Sequence, residues 1–209
     1  HIFIDTHTTN GADYQYVMTM ISTQPDKAGA VSGKYIRKVL EPRLYADMEE
    51  DGYPMTPYVH SIGKTPESGI KDFLETPRFS TGYAALFNCI GFTSEAHMFK
   101  PYKDRVEATY FFIRNVAQFM MENPSQVKKM KAEAEGEMLK RRSLAINWEL
   151  DTTQWEELSF KGYKSIFEKS SLTGEKRRKY DRNEPEEFNI KWYHHFKDSK
   201  VIDVPAAYV

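Results

Sequence analysis

The hydrophobic pattern changes its period near residue 143, and this change constrains the fold more than any other feature of the chain. Before it, residues 102–122 carry apolar side chains at helical spacing, and a second, highly charged helix is predicted after Pro124. After it, the segments LAINWELD, WEELSFKGY, FNIKWYHHF and KVIDVPAAYV alternate as strands and are joined by charged or glycine-bearing turns. The pattern predicts an α/β part over residues 1–142 and a small antiparallel β domain over residues 143–209.

The first 142 residues mix strands and helices in the way expected of an α/β sheet with flanking helices. The segment IFID reads as a buried strand, and a proline-rich stretch over residues 52–78 predicts loop and edge structure beside a site. The other predicted elements are a strand over residues 14–22, a helix over 27–51 that Pro42 bends or splits, short strands at 57–61 and 70–74, a short helix at 83–89 and a strand ending near Glu95.

Composition excludes several classes of function. The chain has 29 Lys and Arg residues against 30 Asp and Glu, so no charge excess favours nucleic acid or an anionic membrane, and a small or peptide-like substrate is expected. Cys89 is the single cysteine, so any metal must be bound by His, Asp or Glu. No apolar run reaches the roughly 20 residues that span a bilayer, so no membrane span is predicted.

Asp5 and His7 stand at the C-terminal end of the first predicted strand. Open α/β sheets bind ligands at this edge, and an imidazole there can bind zinc while a nearby carboxylate orients its ring. A single histidine at a strand end is more often a structural hydrogen-bonding group than a metal ligand. The Asp-x-His pattern alone therefore favours the structural interpretation.

Glu95 follows an apolar stretch that is expected to bury much of its surroundings. Burial raises the pKa of a carboxyl group, and a carboxylate of raised pKa can act as a general base toward an attacking water molecule. The alternative is an ordinary salt bridge between Glu95 and Lys100 or Arg105. The local pattern favours neither over the other.

Two segments together resemble the M14 family of zinc carboxypeptidases. The strand followed by Asp5-Thr6-His7-Thr8-Thr9-Asn10-Gly11 resembles the segment that carries the family's third zinc ligand. Downstream, RFSTGYAALFNCIGFTSEAHMFKPYKDRV is similar to the segment with its catalytic glutamate, which a long helix follows. The two segments come in the family's order and on matching elements, and the resemblance covers residues 1–122.

The resemblance implies part of a mixed-sheet zinc-carboxypeptidase-like domain and removal of a C-terminal residue from a peptide substrate. His7 is implied to bind zinc, with Asp5 as its carboxylate partner, and zinc is implied to polarise the scissile carbonyl. Glu95 is implied to take a proton from water and deliver it to the leaving amine. Family members with appended β domains are commonly exported, which implies an extracytoplasmic location.

The sequence departs from the family in its missing zinc ligands. The family's other ligands form a His-x-x-Glu pair, and none of the six histidines here is followed by glutamate at the third position. Since a catalytic zinc needs three protein ligands, we expect an inactive fragment that lacks upstream ligands. A chain that begins within a core strand is expected to continue upstream and to expose strand edges, through which a homodimer is predicted.

Arg78 and Tyr83 are the candidates for substrate contact. A guanidinium group can hold a carboxylate with two hydrogen bonds, and a phenol can donate to a developing oxyanion. Both residues match the family only loosely, because the family's substrate-contacting tyrosine lies further upstream of its glutamate. A loop salt bridge for Arg78 and a packing role for Tyr83 are the alternatives.

Several other residues invite a functional interpretation that the pattern does not favour. His97 and Lys100 either orient Glu95 or face solvent, and solvent is favoured. His194 and His195 are expected to point to opposite faces of a strand and so not to share a metal ion. The three tryptophans of the β domain could form a carbohydrate platform, but core packing is favoured for Trp148, Trp155 and Trp192.

Two functions compete with the peptidase hypothesis. A metal-dependent phosphoesterase or amidohydrolase would need further clusters of His and Asp, which the sequence does not supply downstream of His7. A binding or structural module related to peptidases, without catalysis, agrees better with the missing zinc ligands.

Overall fold

A computed structural model describes residues 2–205 and has a mixed α/β architecture. Its strands are β1 (Ile2–Thr9), β2 (Met18–Ser22), β3 (Met55–Pro57), β4 (Ile70–Lys71), β5 (Ile90–His97), β6 (Ser143–Leu150), β7 (Glu156–Lys169), β8 (Lys176–Tyr193) and β9 (Phe196–Asp203). Its α-helices are α1 (Gly29–Tyr35), α2 (Glu41–Glu50), α3 (Ser80–Ala85), α4 (Tyr102–Glu122) and α5 (Pro124–Lys140). The helices and strands therefore alternate up to residue 140, and strands alone follow.

Four strands form the main sheet in the order β1-β5-β2-β3. Strand β5 runs parallel to β1 and antiparallel to β2, and β2 runs parallel to β3, so the sheet is mixed. In the first pair Ile4 lies beside Phe92, and His7 lies beside Glu95. Among the described strands β1 has a neighbour on one side only, and Phe3 near its start is 43% exposed. Dimerisation through this edge stays a prediction.

Side chains alternate between the two faces of this sheet. Ile4 of β1, Phe92 of β5 and Met20 of β2 pack into a core with the helices, which includes Leu44 of α2 and Phe112 of α4. The residues between them in sequence point to the opposite face, which forms a cleft. Helices α2 and α4 therefore support the sheet from one side, and the opposite side faces the cleft.

The predicted helix over residues 27–51 is bent at a wide turn. Residues Ile36–Leu40 form a π-helical turn between α1 and α2, immediately before Pro42. Proline has no backbone N–H, and its ring clashes with the carbonyl group four residues earlier in a regular α-helix. The wide turn accommodates Pro42, so the helical path continues from Gly29 to Glu50.

The strands after residue 143 form antiparallel pairs, as the alternating pattern predicts. β7 and β8 form a long hairpin, and β6 pairs with β9. The hairpin also extends into the first part of the chain, because β4 pairs with β8 in parallel and Tyr14 bridges Gly162. A second core contains Tyr14 and Ile70 from the first part together with Phe160 and Ile190 from the hairpin. The division into two domains stays a prediction.

Most predicted elements are confirmed, with shifted ends. The prediction of a helix over residues 102–122 matches α4, and the charged helix after it is α5. The first strand extends beyond the predicted segment as far as Thr9, and the short helix begins at Ser80 instead of residue 83. None of the described helices is both long enough and apolar enough to cross a membrane, in agreement with the composition.

Candidate functional site

The cleft begins on two neighbouring parallel strands, β1 and β5. Asp5 and His7 are two positions apart on β1, and Thr93 and Glu95 are two positions apart on β5. The register pairs Asp5 with Thr93 and His7 with Glu95, so all four side chains share one face of the sheet. Thus two residues separated widely in sequence become direct neighbours.

The segment of residues 73–81 and helix α3 form the wall of the cleft. Together with the sheet they enclose a cavity of about 610 Å³. The cavity is lined by Asp5, His7, Ile21, Tyr58, Phe73, Pro77, Arg78, Phe79, Ser80, Thr81, Tyr83, Thr93 and Glu95. All five site residues predicted from the sequence therefore face one space, whose remaining lining is largely aromatic and hydroxylic.

His7 lies between two carboxyl groups. Its Nε2 is 3.0 Å from Asp5 Oδ2, and its Nδ1 is 3.8 Å from Glu95 Oε1. The His7 side chain is 51% exposed, so solvent or a ligand reaches the ring. Ser80 Oγ donates to Asp5 Oδ2 over 2.5 Å and fixes the carboxylate from the cleft wall. Asp5 and His7 thus lie within ion-pair distance of each other, and the imidazole stays accessible.

Glu95 is nearly enclosed, with 10% of its side chain exposed. Burial raises the pKa of its carboxyl group above the usual value, the charge of His7 lowers that pKa, and the nearby Asp5 raises it. The predicted alternative, a salt bridge to Lys100 or Arg105, is absent from residues 2–205, where His7 is the basic group that lies beside Glu95. A partly buried carboxylate beside an accessible imidazole can accept a proton from a bound water molecule.

Arg78 and Tyr83 belong to the cleft wall and line the same cavity. Arg78 is exposed and makes no ion pair within the described part of the chain. Tyr83 is 57% exposed, and its ring packs edge-on against Phe87 at a centroid distance of 5.3 Å. A guanidinium without an internal partner can bind a carboxylate from a ligand. The predicted packing role of Tyr83 and a role in ligand contact are compatible with this geometry.

A buried ion pair holds the cleft wall in place, and sequence reasoning missed it. Lys27 Nζ lies 2.8 Å from Glu75 Oε1, and Glu75 also accepts a hydrogen bond of 3.0 Å from the backbone N–H of Gln24. Both side chains are buried or nearly so. Glu75 lies in the segment of residues 73–81 that carries Arg78. The ion pair therefore anchors this segment to Lys27, which precedes α1. The two residues are 48 positions apart, and no local pattern marks them.

His97 and Lys100 do not serve Glu95. The His97 ring is buried, its Nε2 lies 2.8 Å from the carbonyl oxygen of Ala12, and it packs on Tyr14 at a centroid distance of 4.3 Å. Lys100 donates to the carbonyl oxygen of Tyr14. The prediction that these residues face solvent is therefore wrong, because both hold the loop that follows β1.

His194 and His195 also differ from the prediction. β8 ends at Tyr193, so neither histidine lies in a strand, and the argument from alternating faces does not apply. Their ring centroids are 4.4 Å apart, and His194 is buried. Of the tryptophans, Trp192 packs against the second core, as favoured, whereas Trp155 is exposed beneath the ammonium group of Lys191.

Zinc, which the resemblance implies, fits this cleft only in part. His7 offers an accessible imidazole with a carboxylate partner, as a zinc ligand requires. A catalytic zinc takes three protein ligands, and within the described residues no second histidine lines the cleft. The chain alone therefore does not complete a zinc site there. Glu156, His194 and His195 are the residues of the described part that lie close enough together to hold an ion, and they are outside the cleft.

No family model, no curated protein and no solved structure matches this chain. A functional assignment consequently rests on the chemistry of the cleft residues and on the order of the elements that carry them.

Proposed function

We propose that the cleft is part of the active site of a zinc-dependent metallocarboxypeptidase of the M14 type, which hydrolyses a C-terminal peptide bond. The observation that carries the proposal is the pairing of His7 with Glu95 on neighbouring parallel strands, at one end of a cavity that also exposes Arg78. The resemblance assigns both residues to one active site, and nothing local in the sequence requires them to be paired. Zinc is the proposed cofactor, and a peptide is the proposed substrate.

Glu95 is the proposed general base and acid. Its carboxylate takes one proton from the attacking water, whose oxygen bonds to the carbonyl carbon of the scissile peptide. The same carboxyl group then passes the proton to the amine nitrogen as the carbon–nitrogen bond breaks. Partial burial supports this role, because the raised pKa of Glu95 makes the carboxylate a better proton acceptor.

Arg78 and Tyr83 are proposed to hold the substrate. The guanidinium of Arg78 is suited to the C-terminal carboxylate, and the phenol of Tyr83 is suited to an oxygen that gains negative charge during attack. Aromatic side chains nearby, Tyr58, Phe73 and Phe79, favour an apolar side chain next to that carboxylate.

His7 is the proposed zinc ligand, with Asp5 orienting its ring. The proposal requires further ligands from protein outside these 209 residues, because one imidazole does not retain zinc tightly. We expect the 209-residue chain alone to show no carboxypeptidase turnover.

The test compares this chain with the longest natural polypeptide that contains it. Release of a C-terminal residue from synthetic peptides is measured for both, and zinc content is measured by elemental analysis. In the longer protein we expect about one zinc per chain, and Glu95→Gln is expected to lower kcat by roughly 10²–10⁴-fold while zinc stays bound. The matched control is Glu133→Gln, which changes an exposed glutamate on α5.

Full activity in Glu95→Gln would contradict the assignment. So would a longer protein that binds no zinc and cleaves no peptide. In that case the second candidate function is supported, a peptide-binding module without catalysis, which the incomplete ligand set of the cleft favours. Such a module binds peptides with a free C-terminal carboxylate and discriminates against the C-terminal amides of the same peptides.

A further inference from the structure

A second cluster of metal-ligand side chains lies at the connection between β8 and β9. His194 and His195 form this connection, between Tyr193 at the end of β8 and Phe196 at the start of β9. Glu156 is the first residue of β7 and lies opposite Trp192 of β8 in the antiparallel register. The pairing of β7 with β8 therefore places the carboxylate of Glu156 near the two imidazoles.

The distances agree with those of a metal site before the ion binds. Each of the three side chains offers one ligand atom, and these atoms lie within 4.8 Å of one another. His194 Nε2 and Glu156 Oε1 are 3.4 Å apart. Two ligands of a tetrahedral zinc ion, each about 2.0–2.1 Å from the metal, are separated by about 3.4 Å. For all three ligand atoms to bind one ion, the most widely separated atoms must come closer by about 1 Å. The side chains of Glu156 and His195 are partly exposed and can make this movement.

His194 is held in a buried, fixed position. It is 4% exposed, and its ring stacks on Trp192 with a centroid distance of 4.0 Å. Its carbonyl oxygen accepts hydrogen bonds from Gln24 Nε2 at 3.0 Å and Arg37 Nη2 at 3.3 Å. Yet the buried Nε2 has no hydrogen-bond partner among the described residues. Buried polar atoms are rarely left in this state, and a bound ion would satisfy this one.

The charges around the cluster are compatible with a cation. A neutral imidazole keeps one ring nitrogen with a free lone pair, which can bind a metal ion, and Glu156 adds a carboxylate 3.4 Å from His194 Nε2. Asp26 Oδ2 lies 3.7 Å from His195 Nδ1. The nearby guanidinium of Arg37 is neutralised by a bidentate pair with Asp26, at 3.0 and 3.1 Å.

We propose that Glu156, His194 and His195 bind one divalent transition-metal ion of the zinc class. Two imidazoles and one carboxylate suit Zn²⁺, Ni²⁺ or Cu²⁺, whereas Mg²⁺ and Ca²⁺ prefer oxygen ligands alone. The ion joins the start of β7 to the β8–β9 connection. Gln24 and Arg37 hold the same connection, so the ion lies where the hairpin meets the α/β part. This site is separate from the cleft and does not depend on the proposed carboxypeptidase activity.

The test uses the full 209-residue chain without a histidine tag. Binding of Zn²⁺ is measured by calorimetry, and Co²⁺ is used as a visible probe, because its absorption spectrum reports a tetrahedral site with nitrogen ligands. One ion per chain is expected. Glu156→Gln and His195→Gln are each expected to weaken binding by at least about tenfold, since each removes one of three ligands. Both side chains are partly exposed, so these variants are expected to fold.

Two control variants distinguish metal binding at this cluster from metal binding elsewhere on the protein. Glu157→Gln changes the next residue on β7, which is exposed and outside the cluster, and is expected to bind as the unaltered chain does. His7→Gln removes the histidine of the cleft and is expected to leave this ion bound. Absence of binding at micromolar metal overturns the proposal. So does unchanged affinity in both Glu156→Gln and His195→Gln, or loss of the bound ion in His7→Gln, which would assign the ion to the cleft.

Discussion

Asp72 links the cleft wall to the hairpin through its carboxyl group. Its Oδ1 accepts a hydrogen bond of 2.6 Å from the indole nitrogen of Trp192. Burial raises the pKa of Asp72 to about 8, and the neighbouring Glu41 raises it further than the hydrogen bond from Trp192 lowers it. The protonated form of Asp72 is therefore the form that the folded protein favours up to neutral pH.

The sign of the resulting pH dependence follows from the raised pKa. Below its ordinary pKa of 3.8, the carboxyl group of Asp72 makes its full contribution to the stability of the folded protein. This contribution is lost as the pH rises through about 8. We expect the free energy of unfolding to fall by on the order of 3 kcal/mol between pH 4 and pH 9. In Asp72→Asn, which keeps an acceptor for Trp192, most of this decline should disappear. Urea denaturation at both pH values measures it.

The matched control for this measurement is Asp198→Asn, at an exposed position of β9. It should keep the decline of the unaltered protein. If the free energy of unfolding falls equally between the two pH values in Asp72→Asn and in the unaltered chain, Asp72 is not the source of the decline.

At the scale of single residues, sequence predicts what a local pattern encodes. Asp5 and His7 are two positions apart on one strand, so their shared face follows from strand geometry alone. The resemblance assigned Glu95 to the same site, but the parallel pairing that brings it there was not predicted. His194 was misassigned because β8 ends at Tyr193, three residues before the end of the predicted segment FNIKWYHHF. Asp72 and Glu75 owe their chemistry to burial by distant residues, which no window of sequence shows.

At the scale of elements, the wall of the cleft depends on the Lys27–Glu75 pair. Removing one partner of a buried ion pair leaves the other charge buried without compensation, which costs about 3–5 kcal/mol. We expect Lys27→Met to lower the free energy of unfolding by about 3 kcal/mol. The double variant Lys27→Met/Glu75→Gln should recover part of that loss, since it removes the uncompensated charge. Chemical denaturation measures both.

Lys128→Met on α5 is the control for the lysine change, because Lys128 is exposed. Its effect should stay within about 0.5 kcal/mol. A loss in Lys27→Met no larger than this, or no recovery in the double variant, would mean that the pair does not anchor the wall.

Elements with strong periodicity were the ones that sequence predicted well. Helix α4 repeats its apolar positions over 21 residues, so its bounds were clear. β1 was predicted too short, because its polar second half is held in the sheet by pairing with β5 along its whole length. Near Pro42 the choice between a bend and a break depended on whether the preceding turn could widen into a π-helical turn. Pairing partners and turn width are tertiary properties.

At the scale of the whole molecule, the second core joins the hairpin to the first part of the chain. Phe160 of β7 is fully buried there, among Tyr14, Ile70 and Ile190. We expect Phe160→Ala to cost about 3–5 kcal/mol. Since residues from both parts share this core, helix and strand signals should be lost in a single transition on heating, measured by circular dichroism.

Phe167→Ala on the same strand is the matched control, because Phe167 is 52% exposed. It should change stability by less than about 1 kcal/mol. Two separate transitions, with the helical signal unaffected by Phe160→Ala, would instead support the predicted boundary near residue 143.

The hydrogen bond between Trp192 and Asp72 gives the protein an optical reporter of its own. Asp72 precedes Phe73, whose ring lines the cleft, so a ligand that shifts this part of the wall also shifts the acceptor of the indole N–H. Indole emission depends on the polarity and hydrogen bonding of its surroundings. In a variant with Trp148 and Trp155 replaced by phenylalanine, occupancy of the cleft can therefore be followed by the colour of the Trp192 fluorescence, without any attached dye.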